Sequence, residues 1–205
     1  MNTQQKILDR ALKMFNERGI EYVGLRELAA VLEMRVSNIT YYFPTKDDLV
    51  LAISQELSSR NSKVLVEDGN ATMKSFLQMI HAAFENHYEF RGLLRSFVHV
   101  MTQNKLVLAG YAKTKHTRRS VIAATIQRLA SSGYLSLDND ETLNFLVSNI
   151  ELIARYWVSE TAVFSQDLNK EQQIRQYLSM ICNLLLPYSP AKAKKEIKAF
   201  KESLR

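Results

Sequence analysis

The sequence predicts an all-α fold with a small N-terminal domain and a larger C-terminal one. Three observations support this. The chain has 205 residues but only six glycines and three prolines, which disfavours a turn-rich β architecture. Apolar residues recur with helical spacing along most of its length. No segment shows the strict alternation of apolar and polar residues that is typical of a half-buried strand.

The first two of three short N-terminal helices have clear apolar faces. One face covers about residues 4–18, where Thr3 is the expected N-cap and Gly19 occupies the left-handed position that ends the helix. The next face belongs to "GLRELAAVLE", which starts from Gly24, an acceptable N-cap. Both helices are short, as a small helical domain requires.

The third helix is "RVSNITYYF", residues 35–43, which follows the second helix after the short link Glu33–Met34. Pro44 ends it because the residue before a proline is pushed out of helical geometry. A fourth helix begins near Lys46, with Thr45 as N-cap and acidic residues in its first turn. Three short helices with a tight link between the last two predict a helix-turn-helix arrangement.

Longer helices are expected over the rest of the chain, near residues 71–88, 91–102, 105–132, 139–165 and 170–187. The last two are apolar on more than one face, which places them in the core or at a subunit interface. The basic stretch 190–205 reads as a helix with one apolar side. It packs on the body, touches a membrane surface or is frayed, and packing is the preferred interpretation.

Charge and composition limit the functions open to the chain. The net charge is +6, but residues 190–205 hold six Lys/Arg and two Asp/Glu, so bulk charge does not establish nucleic-acid binding. One cysteine, and four histidines without metal-ligand spacing, predict no disulfide and no metal site. No signal peptide, membrane-spanning run, cofactor loop or enzyme motif is visible. A soluble, cytoplasmic non-enzyme without a cofactor is therefore expected.

The composition of the third helix indicates what it contacts. If Ile39 lies at the centre of the buried face, Tyr42 and Phe43 fall on the same side. The opposite side and its flanks then carry small hydrogen-bonding residues and one aromatic hydroxyl: Ser37, Asn38, Thr40 and Tyr41. No large charged side chain on this side would hold the helix away from another surface.

Such a surface suits the major groove of DNA, where Ser, Thr and Asn side chains meet base edges. Val36 or the Thr40 methyl group can touch a thymine methyl, and Arg26 can reach a guanine edge or a phosphate. Tyrosine hydroxyls and Lys46 suit phosphate oxygens. A second interpretation stays open: the aromatics are core residues only, and the small polar residues simply face solvent.

Residues 4–50 resemble the DNA-binding domain of TetR-type (tetracycline-repressor-like) transcriptional regulators. The matching stretches are "ILDRALKMFNERG", "GLRELAAVL" and "ITYYFPTKDDL". The most specific piece is the aromatic end of the third helix with a lysine soon after it. The motifs cover about a quarter of the chain. Outside these motifs, only the chain length and the all-helical character agree with the family.

The resemblance implies a role in DNA binding for several positions. Arg26 corresponds to a residue that contacts bases or phosphates. The groove-contacting positions are occupied by Val36, Ser37, Asn38 and Thr40. The backbone-holding positions are occupied by Tyr41, Tyr42 and Lys46.

Two residues depart from the family pattern. Gly24 stands where Thr or Ser is usual, so only its backbone N–H remains for a phosphate. Arg35 stands where a small cap is common, and its cation adds a phosphate or guanine contact or only faces solvent. Residues 1–60 hold eight Lys/Arg and eight Asp/Glu, which predicts modest non-specific affinity for DNA.

The remainder of the chain is expected to supply a dimer interface and a ligand cavity. Helix-turn-helix proteins usually bind two half-sites as dimers, and the apolar helices near 139–165 and 170–187 are the candidate surface. The middle helices would enclose an unidentified small molecule. Its candidate lining residues are Phe84, His87, Tyr88, Phe97, Tyr111, Tyr156 and Trp157. For each of them, ordinary core packing is the simpler interpretation.

The function expected from residues and resemblance together is sequence-specific binding of double-stranded DNA at a near-palindromic operator. The protein would be a repressor that a ligand in the C-terminal domain releases. The expected domains are 1–47 for DNA binding, 48–189 for ligand binding and dimerisation, and 190–205 as a basic helical tail. One alternative is a helical ligand-binding or enzymatic protein whose helix-turn-helix is only structural. Another is a DNA-bound interaction protein without an inducer, which a filled C-terminal interior would favour.

Overall fold

A computed structural model describes residues 2–64 and 71–204. Across those ranges every regular element is a helix, so the predicted all-α class is confirmed. In chain order the helices are α1 (Thr3–Arg18), α2 (Leu25–Val31), α3 (Val36–Tyr42), α4 (Lys46–Val64), α5 (Met73–Glu89), α6 (Arg91–Arg95), α7 (Phe97–Gln103), α8 (Lys105–Ser131), α9 (Asp140–Phe164), α10 (Lys170–Leu185) and α11 (Ala191–Ser203). A short 3₁₀ turn, Leu186–Tyr188, follows α10. Parts of the predicted domains, namely Met1, residues 65–70 and Arg205, lie outside the described residues.

The chain divides into two compact units. The first unit comprises residues 1–60 and 89–113, and the second comprises residues 61–88 and 114–205. The helix-turn-helix therefore shares its unit with α6, α7 and the start of α8. The expected ranges 1–47, 48–189 and 190–205 follow function rather than compactness, and they stay a proposal.

The N-terminal helix shows two local differences from expectation. Asn2, not Thr3, is the N-cap of α1, because its side-chain oxygen accepts a hydrogen bond from the Gln4 backbone N–H at 3.2 Å. Gly19 does adopt a positive φ of 91°, but its ψ of 149° lies outside the left-handed helical region. This backbone conformation is essentially restricted to glycine. The predicted caps Gly24 and Thr45 are confirmed.

The single helix predicted over residues 91–102 is wrong: α6 and α7 are separated at Ser96, where φ is −94° and ψ is 22°. The Ser96 hydroxyl donates to the Glu21 carboxylate at 3.0 Å, and the Ser96 carbonyl accepts the Val100 N–H at 2.8 Å. The stretch contains no proline, and its single glycine lies four residues earlier. The interruption therefore coincides with a tertiary contact that helical periodicity does not reveal.

Close contact between α1 and α6 holds the first unit together. The Gly92 N–H donates to the Asn16 side-chain oxygen at 2.7 Å, and the Asn16 amide donates to the Glu89 carbonyl, also at 2.7 Å. A Cβ atom at Gly92 would lie 2.4 Å from the carbonyl oxygen of Phe15. The two helices thus touch backbone to backbone, which only glycine permits at this position.

Apolar packing and one polar bridge hold the second unit. Phe84 and Trp157 are almost fully buried and stack with ring centroids 5.1 Å apart. Arg119 on α8 bonds to the Glu151 carboxylate on α9 at 2.8 Å. The tail helix α11 packs on this unit through its buried apolar side, as preferred from the sequence, and its Glu196 carboxylate accepts the Lys74 N–H at 2.9 Å. Of the described helices, none is both long enough and apolar enough to cross a bilayer.

Candidate nucleic-acid interface

A tight turn joins α2 to α3. Among the residues that the structure describes, Glu33 is the one non-glycine residue with a positive φ, 54°. The Met34 N–H returns to the Ala29 carbonyl at 2.9 Å, which closes the end of α2. A left-handed residue costs about 1–2 kcal/mol outside glycine, asparagine and aspartate. The sequence gives no sign of this conformation, since glutamate does not favour it.

The helix α3 is anchored by one side only. Ile39 is 0% exposed and Phe43 is 3% exposed, so both are core residues of the first unit. Tyr41, on the opposite side, is 81% exposed. Ser37 and Asn38 are also exposed. The predicted burial of Ile39 and Phe43 and the predicted exposure of Ser37 and Tyr41 are therefore confirmed, and the small polar side of the helix is open to a partner.

The flanks of this surface are partly structured. Thr40 is half-buried, and its hydroxyl donates to the Ser37 carbonyl at 3.4 Å. Tyr42 is half-buried too, with its ring at the edge of the Tyr41 ring and the two centroids 5.0 Å apart. Val36 is 37% exposed at the start of the helix. These residues frame the outward face rather than fill the core.

Two arginines of the helix-turn-helix are exposed. Arg35 is the exposed N-cap residue of α3 and makes no side-chain capping bond. Arg26 is exposed in the first turn of α2. Beside it, an ion pair between Arg18 and Glu27 joins the end of α1 to that turn. Glu27 is thus paired with Arg18, and the Arg26 side chain stays on the surface.

The first turn of α4 places Lys46 beside the preceding loops. Thr45 and Asp48 cap the helix reciprocally, since the Asp48 carboxylate accepts the Thr45 N–H at 2.9 Å and the Thr45 hydroxyl accepts the Asp48 N–H at 3.2 Å. The half-buried Lys46 ammonium donates to the Glu21 carbonyl at 3.4 Å. Burial lowers the pKa of Lys46, and the nearby carboxylates of Glu21 and Asp47 offset this only in part.

The Glu21 carboxyl is held in its charged form. Burial alone would raise its pKa, but a hydrogen bond from its own backbone and one from the Ser96 hydroxyl lower it. Electrostatic interactions with His99 and Lys46 act in the same direction, and the net shift of the Glu21 pKa is downward. Lys46 thus has one long hydrogen bond and incomplete charge compensation. An ammonium in this state has donors left for an anion.

The structure separates the predicted ligand-lining residues into two groups. Phe97 and Tyr111 belong to the first unit, where their rings meet edge to face at a centroid distance of 5.3 Å. The other five belong to the second unit: Phe84, His87, Tyr88, Tyr156 and Trp157. They therefore do not line one cavity within a single compact unit.

Within the second unit a polar network surrounds His87. The Trp157 indole N–H donates to His87 Nδ1 at 3.4 Å, and Asn61 Nδ2 lies 3.2 Å from His87 Nε2. Asn86 donates to the Asn61 side-chain oxygen at 3.1 Å. Burial first, and then the positive charge of Arg118, lowers the pKa of His87 to about 4. At neutral pH the ring is uncharged and serves as a hydrogen-bonding group.

Sequence reasoning missed the two asparagines of this network. They lie at positions 61 and 86, and neither polar residue marks a motif by itself. Tyr177 was missed as well, although its ring lies 5.8 Å from that of Trp157. Tyr156 is 39% exposed, and the Lys170 ammonium lies 5.7 Å from the ring of Tyr88.

Two open grooves lie in the second unit, with volumes of about 420 Å³ and 520 Å³. The first is lined partly by His81, Glu85 and Arg175, and the second partly by Lys194, Lys198 and Lys201. Neither groove is lined by any of the predicted ligand-binding residues.

Comparisons with known proteins cover both parts of the chain. The family model described as "Bacterial regulatory proteins, tetR family" matches residues 7–53, and the model described as "Bacterial transcriptional repressor" matches residues 54–197. A crystal structure of a TetR-family transcriptional regulator from Marinobacter aquaeolei VT8 superposes with a TM-score of 0.90 over 100% of both chains, at 19% identity. At that identity the likeness shows the fold alone.

Two curated relatives are similar over part of the chain. The "Probable HTH-type transcriptional regulator YttP" of Bacillus subtilis (strain 168) is 27% identical over 100 residues, which are 46% of this chain and 48% of that protein. An HTH-type transcriptional regulator from the dhlA 5′ region of Xanthobacter autotrophicus is 26% identical over 137 residues. That match covers 62% of this chain and 67% of the relative. The chain thus matches about half to two thirds of the length of these relatives.

Proposed function

Since the chain belongs to the bacterial regulatory proteins of the tetR family, which are DNA-binding transcriptional regulators, we propose that it represses transcription as a homodimer on a near-palindromic operator. A small molecule bound in the second unit would release the DNA. The protein would act in the cytoplasm, where its operator lies. Membership of a regulator family does not favour the alternative in which the helix-turn-helix is only structural.

The outward face of α3 is the observation that carries this proposal. Ile39 and Phe43 are buried in the core of the first unit, while Ser37, Asn38 and Tyr41 are exposed to solvent. Small polar side chains on an exposed helix fit the major groove, where each well-placed contact discriminates bases by about 1–3 kcal/mol. We assign Ser37, Asn38, Thr40 and Val36 to base edges and thymine methyl groups.

Phosphate contacts are assigned to the cations and hydroxyls around that face. Lys46 supports this role because its half-buried ammonium keeps donors for an anion. Tyr41 and Tyr42 are the last two residues of α3, Arg35 is its N-cap residue, and Arg26 lies in the first turn of α2. Contacts of this kind fix the register of a protein on DNA without reading its sequence.

The dimer is assigned to α9 and α10. Four exposed apolar side chains follow one stripe of α9 at helical spacing: Phe145, Leu152, Tyr156 and Val163, which are 48%, 54%, 39% and 64% exposed. Met180 on α10 is 47% exposed. A two-fold pairing of these helices would cover the stripe with its own copy. It would also place two copies of α3 for successive half-sites.

The ligand is assigned to the neighbourhood of His87 in the second unit, where the packed side chains must move apart to admit it, since neither groove is lined by these residues. A largely apolar site with a few convergent polar groups is the usual form of a small-molecule pocket. The stacked Phe84 and Trp157 rings and the neutral imidazole supply both kinds of group. To release DNA, the ligand must bind more tightly to a conformation in which the two half-site contacts no longer fit the operator.

Selection from a randomised pool of duplex DNA tests the proposed function. The wild-type protein is expected to enrich a near-palindromic sequence with two half-sites about one helical turn apart. Asn38→Ala is the matched variant, because Asn38 is exposed and its loss leaves the core of α3 intact. The variant should lose enrichment while it keeps the thermal stability of the wild type. Binding that shows no enrichment and fades steeply with salt would contradict sequence-specific recognition.

A further inference from the structure

The net positive charge of the first unit does not come from the helix-turn-helix. Residues 1–60 hold eight basic and eight acidic residues. Residues 89–113, the other part of the unit, hold four basic residues and one acidic residue, Glu89. The basic ones are Arg91, Arg95, Lys105 and Lys113. Phosphate neutralisation supplies most of the sequence-independent affinity for DNA. Residues 89–113 are therefore candidates for further phosphate contacts.

A buried asparagine ties this segment to the first turn of α4. Asn104 is only 5% exposed, and its side-chain amide donates to the Asp47 carbonyl at 2.9 Å. Its side-chain oxygen accepts the Val107 N–H at 3.0 Å, which caps the start of α8. One side chain thus joins the N-terminal turns of α4 and α8. The turn of α4 is the one that carries Lys46.

Lys105 follows Asn104 directly and lies in the first turn of α8. Asn104 is buried, whereas the next two residues, Lys105 and Leu106, are exposed. Among the residues that the structure describes, no carboxylate forms an ion pair with the Lys105 ammonium. The N-terminus of a helix adds positive potential of its own, which attracts an anion together with the Lys105 ammonium.

We propose that Lys105 is a further phosphate-binding residue, which contacts the DNA backbone beside Lys46 and extends the interface beyond the helix-turn-helix. This inference rests on the proposed function, since it requires that the first turn of α4 faces DNA. The Asn104–Asp47 hydrogen bond joins the residue before Lys105 to the residue after Lys46. Phosphates on one strand are spaced regularly, so two cations on helix turns that are joined in this way can engage the same stretch of backbone.

A direct phosphate contact differs measurably from a general charge effect. Each phosphate that a protein neutralises adds about 0.9 to the slope of log affinity against log salt concentration. A cation that touches no phosphate acts only through the screened field of the surface, so it contributes much less to that slope. Lys113 is the matched control, because it is exposed on the same helix of the same unit. It lies eight residues further on, about 12 Å along the axis.

The experiment compares Lys105→Gln with Lys113→Gln on the duplex that the wild-type protein enriches, over a series of salt concentrations. With two subunits on one operator, Lys105→Gln is expected to reduce the magnitude of the slope by about 1.8, and Lys113→Gln to leave it unchanged. Affinity at 0.1 M salt should fall by more than tenfold for the first variant only. Both variants should unfold at the wild-type temperature, because each changes an exposed side chain.

The outcomes separate this inference from the function on which it rests. Equal slopes for Lys105→Gln and the wild-type protein would overturn the phosphate contact. Lys46→Gln, measured alongside, reports whether the first turn of α4 faces DNA at all. If Lys46→Gln lowers the slope and Lys105→Gln does not, only the extension of the interface fails. If the wild-type protein binds no duplex, the proposed function fails with it.

Discussion

The backbone N–H of Gly92 donates a hydrogen bond to the side-chain oxygen of Asn16 at 2.7 Å, across 76 positions of sequence. The same asparagine donates its amide to the Glu89 carbonyl. These two bonds satisfy backbone groups at the end of α5 and the start of α6, and the Asn16 side chain makes both of them from the last turn of α1. The absence of a side chain at Gly92 allows the approach.

Gly92→Ala is expected to destabilise the protein by about 2 kcal/mol or more, because overpacked substitutions cost about 1–3 kcal/mol even without a backbone clash. Here the new Cβ would lie 2.4 Å from the Phe15 carbonyl oxygen, so the two helices must separate. The midpoint of unfolding in urea measures the change.

Gly110→Ala is expected to shift the midpoint of urea unfolding in the opposite direction. Gly110 lies within α8, and a Cβ built there meets no atom within 4 Å. Replacing an exposed glycine inside a helix by alanine should stabilise by about 0.5–1 kcal/mol. If both variants shift the midpoint in the same direction, the close approach at Gly92 is not what the substitution disrupts.

Ile39→Ala and Tyr41→Ala should divide the roles of α3 between folding and binding. Ile39 is fully buried, so its truncation is expected to cost about 2–5 kcal/mol of stability. Tyr41 is 81% exposed, so its truncation should change stability by no more than about 0.5 kcal/mol and still weaken DNA binding. Thermal unfolding and DNA titration on the same samples give both quantities. A Tyr41 variant with wild-type affinity would remove this residue from the interface.

Leu152→Lys should convert the proposed dimer to a monomer. Leu152 is 54% exposed at the middle of the apolar stripe on α9, and a lysine there would bring two like charges together across a two-fold axis. Val98→Lys is the control, since Val98 is 63% exposed but lies on α7 in the other unit. Sedimentation velocity is expected to show a monomer for the first variant and a dimer for the second. Two dimers would place the interface elsewhere.

Stability should fall as the pH is lowered from about 6.5 towards 4, because of His87. Burial lowers the pKa of this histidine in the folded protein from 6.5 to about 4. In this range the unfolded chain therefore binds more protons than the folded one, and the free energy of unfolding rises with pH. The stability is complete above pH 6.5, and the loss from this group amounts to about 3 kcal/mol at most.

His87→Gln tests this assignment, since glutamine keeps hydrogen-bonding atoms but does not titrate. Urea unfolding between pH 7 and 5 should show a smaller loss of stability for the variant than for the wild-type protein. This range stays above the ordinary pKa of Glu21, whose lowered value makes it lose stability only under more acidic conditions. Parallel pH profiles for the two proteins would show that another group carries the effect.

The features that could be predicted from the sequence are local. The helical period alone placed Ile39 and Phe43 inside and Ser37 and Tyr41 outside, because burial of one face is a property of the helix itself. Cap residues such as Thr45 could also be predicted from the sequence, since their hydrogen-bond partners lie three positions away. The resemblance to a known family rested on this same short region.

The features that could not be predicted depend on distant pairs. The contact of Asn16 with Gly92 and that of Asn104 with Asp47 join residues 76 and 57 positions apart. No periodicity or motif signals such a pair before the chain is folded. The break at Ser96 coincides with one of these contacts, which is why one helix was expected where two exist. The split of the aromatic candidates between the units has the same origin.

The first unit is built from two separate stretches of the chain, and this has a consequence for protein engineering. A chimera that joins residues 1–60 of this chain to the effector module of another regulator would leave Asn16 and the Asp47 carbonyl without their native partners from residues 89–113. Such a graft is expected to expose apolar surface and to fold poorly. To change DNA specificity, only the outward residues of α3 should be transplanted. To exchange the whole first unit, residues 1–60 and 89–113 should be transferred together.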